Sequence, residues 1–348
     1  MMKISLRRGL FVSAVGVMAL GLTACGSTSG NNSSASNTGN TSHSSGSQKT
    51  MTFRLADDQP ATYPTVKGDE AFAKEVSQKT NGRIKIKVYP NAQLGAENSV
   101  IQQIQLGAID FGRINAAPLA DFDKKLGVLE LPYLFKSTKQ EWDVYNGKVG
   151  SDLLNSLTTA KMVGLTFYDS GQRNFYNSKH AVKTPAQLKG LKIRVQKSNM
   201  MVDLVNTLGG NATPMAYSEV FNALQSGVID GAENNIPSYY TTNHYKVAKY
   251  LTLDHHTATP EILLASQKTW NKLSPADQKI VRQAAQDSQK VERTAWNALV
   301  QKALKAIKAN GNVITNVDSA TWQKAVQPLY KKYGSSYSSI IQQIKNTN

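Results

Sequence analysis

Two arginines and an asparagine are the side chains of this sequence whose types and positions best suit anion binding. Arg173 follows the run MVGLTFYDSGQ, and Arg194 lies inside the run LKGLKIRVQ. A buried guanidinium is costly without a partner, and its planar fork of donors matches a carboxylate in two parallel hydrogen bonds. Together with the amide of Asn234, the two arginines predict a carboxylate clamp. The alternative is that Arg173 or Arg194 pairs internally, for instance with Glu233 or Asp169.

The sequence around this asparagine repeats an earlier segment. QLGAIDFGRIN at 105–115 and QSGVIDGAENN at 225–235 are 120 residues apart, and each follows apolar residues at helical spacing. Gly107 and Gly227 suit the left-handed position that ends a helix, so each copy predicts a helix, a glycine stop, a short strand and a polar tip. The tips are Arg113 and Asn115 in the first copy and Glu233, Asn234 and Asn235 in the second.

The repeat suggests a two-sided ligand site. Open α/β sheets bind ligands beyond the carboxyl ends of their strands, where loops and helix ends converge. If the two copies belong to separate lobes, their tips face one cleft. The alternative is that short strand–helix units look alike in any α/β protein.

The rest of the chain indicates an α/β fold. MTFRLAD and RIKIKVYP alternate as strands do and flank a predicted helix around 69–79, and MVGLTFY and GLKIRVQ predict further strands. Ser274 and Pro275 suit the start of a helix that runs to about Ala309 and, at about 1.5 Å per residue, is roughly 50 Å long. Such a helix would brace two lobes. The alternative is two helices with a kink near Asp287.

Composition and charge exclude several classes of function. The chain has 348 residues, which suits two domains, and a formal net charge of +16. Its lysines are dispersed, and its aromatic residues do not interleave with them, so nucleic-acid binding is not predicted. One cysteine and five histidines without metal-ligand spacing predict neither a metal site nor redox chemistry. We therefore predict no cofactor.

The first 50 residues predict a membrane anchor. Basic residues precede an apolar run that ends in LTACG, which is typical of a lipoprotein signal peptide over 1–24. Cys25 is the predicted lipidation site and would tether the mature protein to the membrane outside the cytoplasm. Residues 25–50 are rich in Ser and Asn and predict a flexible linker. The alternative is a cleaved secretory peptide with an incidental cysteine.

Several motifs resemble those of one transporter family. GLKIRVQ, LGGNATPMAYSEVFNALQSGVIDGAENN and HYKVAKYLTL are similar to motifs of the solute-binding subunit of tripartite ATP-independent periplasmic (TRAP) transporters. VYPNAQLGAENSVIQQIQLGAIDFG, LELPYLF, GQRNF and KLSPADQKIVRQAA support the resemblance, which extends from residue 51 to the C-terminus.

The resemblance implies the fold. It implies a two-lobed, periplasmic-binding-protein-like α/β fold with strands that cross a hinge and a long helix that braces both lobes. We expect residues 51–170 and about 260–300 to form lobe I, and residues 171–259 and about 301–348 to form lobe II.

The resemblance also implies roles for the candidate residues. Arg194 would bind the ligand carboxylate through two hydrogen bonds, Arg173 would support it, and Asn234 would complete the grip. Tyr217 would form a wall of the site. The residues expected to contact the rest of the ligand are Glu97, Asn115, His256, Arg113, Asn235 and Asp58.

The motifs narrow the class of ligand. Sialate-type members of the family carry a carboxylate and a further arginine near the first strand tip, where this chain has Asn115 and Pro118. The run GVIDGAENN followed by PSYYTTNHY looks most like members that take sugar acids such as glucuronate or galacturonate. A C4-dicarboxylate is the alternative, because Arg113 would serve its second carboxylate.

These features predict a monomeric, lipid-anchored receptor that delivers an organic acid to the membrane permease subunits of a TRAP transporter. It would lie at the outer face of the cytoplasmic membrane, in the periplasmic space where an outer membrane exists. One alternative is a co-receptor for a sensor kinase. The other is an extracellular lyase or hydrolase, but Glu97 and His256 are its only candidate catalytic groups, so an enzyme is not predicted.

Overall fold

The computed structural model describes residues 50–347. The predicted signal peptide, the lipidation site Cys25 and the predicted linker up to residue 49 lie outside the described residues. Within 50–347, no helix is both long enough and apolar enough to cross a membrane.

Helices and strands alternate along most of this range. The strands are β1 (Met51–Ala56), β2 (Ile84–Tyr89), β3 (Phe111–Asn115), β4 (Met162–Tyr168), β5 (Arg173–Asn177), β6 (Lys192–Val195), β7 (Asn211–Pro214), β8 (Gly231–Asn234), β9 (Tyr250–Thr257), β10 (Glu261–Ser266) and β11 (Val313–Asn316). The α-helices are α1 (Pro64–Lys79), α2 (Glu97–Leu106), α3 (Ala116–Leu119), α4 (Thr138–Asn146), α5 (Lys148–Ser156), α6 (Asn199–Thr207), α7 (Val220–Ser226), α8 (Ile236–Thr241), α9 (His244–Val247), α10 (Gln267–Trp270), α11 (Pro275–Ala309), α12 (Ser319–Ala325) and α13 (Gln327–Asn346).

Two sheets of mixed strand direction organise the fold. The first has the strand order β2-β1-β3-β10-β4, and the second has the order β11-β9-β5-β8-β6-β7. In the first, β1 is parallel to β2 and β3, whereas β10 is antiparallel to β3 and β4. In the second, β6 is parallel to β7 and β8, β9 is parallel to β11, and β5 is antiparallel to β8 and β9. The chain crosses between the sheets at 169–172 and again at 258–260.

The repeated motif forms the same unit in each sheet. α2 ends at Gly107 with φ 73°, and α7 ends at Gly227 with φ 75°, so both glycines have the predicted left-handed conformation. Each helix is followed by a strand, β3 or β8. At the tips, the side chains of Asn115 and Asn235 each cap the short helix that follows by accepting a backbone hydrogen bond. The predicted order of helix, glycine, strand and polar tip is confirmed in both copies.

The long helix α11 joins the two halves. It is unbroken, so the single helix is confirmed and the alternative with a kink near Asp287 is wrong. The hydroxyl of Ser274 caps its first turn, as predicted. Towards its start Val281 packs in the core of the first sheet, and towards its end Ala303 and Ile307 pack in the core of the second. The two-lobed α/β fold with a bracing helix is therefore confirmed.

The C-terminal helix α13 is also shared between the halves. Leu329 near its start packs with residues of the second sheet, whereas Ile341 and Ile344 near its end pack in a core beneath the first sheet, together with Trp142. The lobe boundaries stay a prediction, with the end of the predicted second-lobe segment 301–348 packed against the first half.

Candidate functional site

A narrow cleft lies between two walls, the first formed at the edge of the first sheet and the second at the edge of the second sheet, and its cavity has a volume of about 20 Å³. Nine of the ten ligand-binding residues predicted from the sequence line this cleft. They are Asp58, Glu97, Arg113, Asn115, Arg173, Arg194, Tyr217, Asn234 and Asn235. Their individual roles in binding stay a prediction.

A larger groove lies elsewhere on the molecule. It has a volume of about 650 Å³ and is lined by residues of α1, α8, α9 and α11, among them Lys67, Tyr245 and Lys302. Its lysines are exposed to solvent. Volume alone would select this groove, but the narrow cleft gathers three buried arginines and is therefore the better candidate for binding an anion.

The strand arrangement explains how the second wall forms. β6 and β8 are parallel and β5 is antiparallel to β8, so the ends of β6 and β8 lie at the same edge as the start of β5. This edge brings together Arg173 at the start of β5, Arg194 in β6 and Asn234 at the end of β8. The residues of the predicted carboxylate clamp thus converge.

Arg173 is paired within the protein. Its Nε donates to Glu233 Oε2 at 2.5 Å and its Nη2 to Glu233 Oε1 at 2.9 Å. Its Nη1 donates to Asn234 Oδ1 at 3.1 Å. The alternative that Arg173 pairs with Glu233 is therefore confirmed. Since the oxygen of Asn234 is occupied in this way, the amide NH₂ of that residue is the end left to donate to a ligand.

His256 is not among the residues that line the cleft, and its predicted contact with the ligand stays a prediction. It is fully buried behind Glu233, where Nδ1 lies 2.8 Å from Asp254 Oδ2 and Nε2 lies 3.3 Å from Glu233 Oε2. Burial alone would lower the pKa of His256, but the charges and hydrogen bonds of Asp254 and Glu233 raise it to about 9. Burial alone would raise the pKa of Glu233, but Arg173 and His256 lower it to about 2. Two anions and two cations thus balance one another behind the second wall.

Arg194, unlike Arg173, forms no ion pair with a carboxylate among residues 50–347. Its Nε and Nη2 donate to the backbone oxygen of Met215 at 3.0 and 2.8 Å, and its guanidinium carbon lies 5.9 Å from the centre of the Tyr217 ring. Among residues 50–347, no carboxylate oxygen lies within 4.0 Å of its nitrogens. It is 3% exposed, and burial lowers its pKa. A buried, charged guanidinium with an uncommitted Nη1 is therefore directed at the cleft.

Arg113 in the first wall is surrounded by acids. It is 1% exposed and forms ion pairs with Asp57, with Asp58 at 2.5 Å and with Glu261 at 2.5 Å, while Glu97 lies 3.6 Å away. Burial opposes its charge, but these carboxylates outweigh that effect and raise its pKa well above the ordinary value. Four carboxylates compete for its donors, and the expectation that Arg113 donates to a second ligand oxyanion or to sugar hydroxyl groups stays a prediction.

The acids of the first wall are themselves perturbed. Burial raises the pKa of Asp58, and it raises the pKa of Glu97 well above the ordinary value with help from the charge of Asp58. Glu97 Oε1 accepts a hydrogen bond from the backbone of Asn115 at 2.7 Å, and Asn115 Nδ2 donates to Glu261 Oε1 at 3.0 Å. Protonated carboxyl groups and carboxylates both hydrogen-bond hydroxyl groups, so this wall suits a neutral, hydroxyl-bearing part of a ligand.

Two contacts hold the walls together across the cleft. Tyr63 Oη, just before α1, lies 2.8 Å from Ser238 Oγ and donates to Asn235 Oδ1 at 3.2 Å. Glu130, which follows α3, accepts a hydrogen bond from Ser198, the N-cap of α6. The two halves are therefore in contact beside the cleft.

The sequence reasoning missed four lining residues. They are Gln59, Gln196, Ser238 and Glu261. The positions of two of them carried a signal, because Gln59 comes shortly after β1 and Gln196 directly after β6, where the ends of strands meet the cleft. Glu261 begins an antiparallel strand, so its place at the same edge follows only from the sheet topology.

Within residues 50–347, the described part of the chain, no group of three or more His, Cys, Asp or Glu side chains is arranged to hold a metal ion. The chemistry of the cleft is that of charge and hydrogen bonding.

The sequence can now be compared with known proteins. The profile of the family described as bacterial extracellular solute-binding protein, family 7, matches residues 55–336. The chain belongs to this family. A solute-binding protein of Chromohalobacter salexigens is 40% identical over 275 residues, which is 79% of this chain and 82% of that relative.

Solved structures of TRAP periplasmic solute-binding proteins have a similar fold. One from Xanthobacter autotrophicus Py2, with bound β-D-galacturonate, is 41% identical, has a TM-score of 0.83, and matches over 85% of this chain and 100% of its own. Another from Chromohalobacter salexigens, with bound D-glucuronate, is 38% identical, with the same TM-score and the same coverage. The resemblance to TRAP solute-binding proteins is confirmed, and the chain is an extracytoplasmic receptor rather than an enzyme.

Proposed function

We propose that this receptor binds a monocarboxylate sugar acid of the hexuronate class. The carboxylate is held by Arg194, with the amide of Asn234 as a further donor. The observation that carries the proposal is the lack of any acid within 4.0 Å of Arg194 among residues 50–347, in contrast to Arg113 and Arg173. A buried guanidinium gains most from a carboxylate where no internal anion competes for it. The bound uronates of two related receptors support the choice of ligand class.

The composition of the first wall favours a uronate over a dicarboxylate. A C4-dicarboxylate held at Arg194 would direct its second carboxylate at a wall that already has Asp58, Glu97 and Glu261 around one arginine. Like charges at this distance in a desolvated cleft repel one another. The hydroxyl groups of a uronate meet the same wall without added charge.

We further propose that the receptor delivers this acid to the membrane permease subunits of a TRAP transporter while anchored through lipidated Cys25. The bracing helix and the two chain crossings supply a hinge, and a ligand that contacts both walls favours the closed state. Partition into a detergent phase tests the anchor. Wild-type protein from the membrane fraction should enter the detergent phase, and Cys25→Ala should remain in the aqueous phase.

Calorimetry on purified full-length protein tests the ligand class. D-Galacturonate and D-glucuronate should bind, whereas succinate and galactarate, which carry two carboxylates, should bind at least about 10-fold more weakly, a difference of about 1.4 kcal/mol. Equal affinity for succinate and the uronates would overturn the assignment to monocarboxylate acids. Failure of every acid to bind would overturn the proposal as a whole.

A further inference from the structure

Two buried glutamines in the cleft have amide oxygens without hydrogen-bond partners. Gln59 is 6% exposed and Gln196 is 9% exposed, and within residues 50–347 no donor reaches the Oε1 atom of either side chain. Within residues 50–347 the other buried glutamine has hydrogen-bond partners for its side chain. Gln140, at 5% exposure, accepts a hydrogen bond from the backbone of Lys136 at 2.9 Å and donates to the backbone oxygens of two C-terminal residues. The two unpaired amides are therefore specific to the cleft.

The backbone fixes the position of both glutamines. The N–H of Gln59 donates to Asp57 Oδ1 at 2.7 Å, and its carbonyl accepts from the N–H of Asn91 at 2.8 Å. Gln196 lies two residues after Arg194, and its carbonyl accepts from the N–H of Ser198 at 2.8 Å. Gln59 belongs to the first wall and Gln196 to the second, so the two amides reach the cleft from opposite sides.

The chemistry of an unpaired amide indicates what would satisfy it. A buried polar group without a partner destabilises the protein, so such a group is expected where a ligand supplies the partner. An amide oxygen needs a donor, and an amide NH₂ needs an acceptor. A hydroxyl group serves both ends, whichever way the amide is turned, whereas a carboxylate repels the amide oxygen. The hydroxyl of Tyr217, also in the cleft and close to Gln59 and Ser238, can likewise donate to or accept from a ligand hydroxyl group.

We propose that Gln59 and Gln196 are specificity-determining residues that hydrogen-bond the hydroxyl groups of the bound acid, one from each wall. The inference rests on the proposed function, because it takes Arg194 as the carboxylate site and assigns the remainder of the ligand to these amides. A site built to hydrogen-bond a hydroxyl group strongly rejects an analogue that lacks it, since its own polar groups are then left unpaired. The receptor therefore selects polyhydroxylated acids over deoxygenated acids of the same size.

Calorimetry with two probes and four variants of the full-length protein tests this role. The probes are D-galacturonate and cyclohexanecarboxylate, a six-membered ring with one carboxylate and no hydroxyl groups. The variants are Gln59→Leu, Gln196→Leu, the double variant, and the control Gln301→Leu on the exposed face of α11. We expect wild type to bind D-galacturonate at least about 100-fold more tightly than cyclohexanecarboxylate.

The ratio of the affinities for D-galacturonate and cyclohexanecarboxylate distinguishes a role of the glutamines in specificity from a merely structural role. Each single variant should weaken D-galacturonate binding about 3- to 10-fold, and the double variant should lower the affinity ratio by at least about 10-fold, because only the hydroxylated probe loses hydrogen bonds. A merely structural role would weaken both probes alike and leave the ratio unchanged. The control should stay within about 2-fold of wild type. Thermal unfolding checks that each variant folds, and Gln→Met replacements at both positions serve if a leucine variant does not.

The outcomes distinguish this inference from the proposed function. If D-galacturonate binds, Arg194→Ala abolishes binding, and the glutamine variants leave the affinity ratio unchanged, the inference is overturned and the proposed function stands. If Arg194→Ala binds as well as wild type, or if wild type binds no uronate, the proposed function falls and this inference falls with it.

Discussion

The two walls of the cleft differ in the number of carboxylates that surround their arginines. In the first wall, Arg113 is surrounded by four carboxylates, so the wall carries an excess of acidic groups. In the second, Arg173 is balanced by Glu233, and Arg194 is left without an acid among the described residues. An arginine at a strand end is therefore not by itself an anion site. What distinguishes a binding arginine from a structural one is the charge already around it.

The largest expected effect is the loss of the unbalanced cation. Arg194→Ala should weaken D-galacturonate binding by about 3–5 kcal/mol, a factor of at least about 100, because the ligand carboxylate would be desolvated without its partner. Titration calorimetry measures the loss. The matched control is Lys197→Ala, which removes an exposed charge three residues away and should change affinity little. An equal loss in both variants would assign the effect to net charge rather than to Arg194.

Removal of the balanced cation should affect folding instead. Arg173→Ala leaves Glu233 buried without its bidentate partner and should lower the free energy of unfolding by about 3–5 kcal/mol, measured by urea denaturation of ligand-free protein. Under the same conditions Arg194→Ala should be neutral or stabilising, because it removes a buried charge that has no counter-ion. If both substitutions lowered the free energy of unfolding equally, Arg173 could not be assigned a structural role and Arg194 a binding role on this basis.

The ion network behind the second wall predicts a dependence of stability on pH. His256 has a pKa of about 9 in the folded protein, above its ordinary value of about 6.5 in an unfolded chain. The contribution of His256 to the free energy of unfolding is therefore fully present below pH about 6.5 and is lost as the pH rises through about 9. In total it amounts to about 3 kcal/mol. Urea denaturation between pH 6 and 9.5 tests this. His256→Gln should flatten the curve, and the exposed His180→Gln should not.

The smallest effect is expected at the connection between the walls. Gly171 in the crossing segment 169–172 has φ +53°, and an added Cβ would lie 2.8 Å from Cζ2 of Trp296 in α11. Gly171→Ala should therefore lower the free energy of unfolding by about 1–2 kcal/mol. Gly334→Ala in α13, where an added Cβ meets nothing within 4 Å, should raise it by about 0.5–1 kcal/mol. If Gly171→Ala is as stable as wild type, the crossing segment adjusts without strain.

The fold could be predicted because its signals are local. The alternation of MTFRLAD and RIKIKVYP, the stops at Gly107 and Gly227, and the Ser274-Pro275 helix start depend on a few neighbouring residues, and each forms the expected element. The helix α1 begins at Pro64 rather than near residue 69, because the proline fits the first turn. Periodicity carries no information on which lobe α13 packs against.

The site could be predicted only in part because charge balance is a tertiary property. Sequence identified the three arginines, but pairing of Arg113 with Glu261 joins residues 148 apart in the chain, and antiparallel β10 brings them together. The burial of His256 behind Glu233 depends likewise on the packing of β9 against β5. The glutamines were missed because a neutral amide at a strand end resembles any loop residue until its missing partner is seen.

The most direct test of the distinction between the walls is a crystal structure of the protein grown with D-galacturonate. We predict that the ligand carboxylate lies within hydrogen-bond distance of Arg194 and Asn234, that the sugar hydroxyl groups contact Gln59 and Gln196 and face the acids of the first wall, and that the Arg113 and Arg173 ion pairs are intact. A carboxylate bound to Arg113, with its acids displaced and Arg194 left without an anion, would contradict the account.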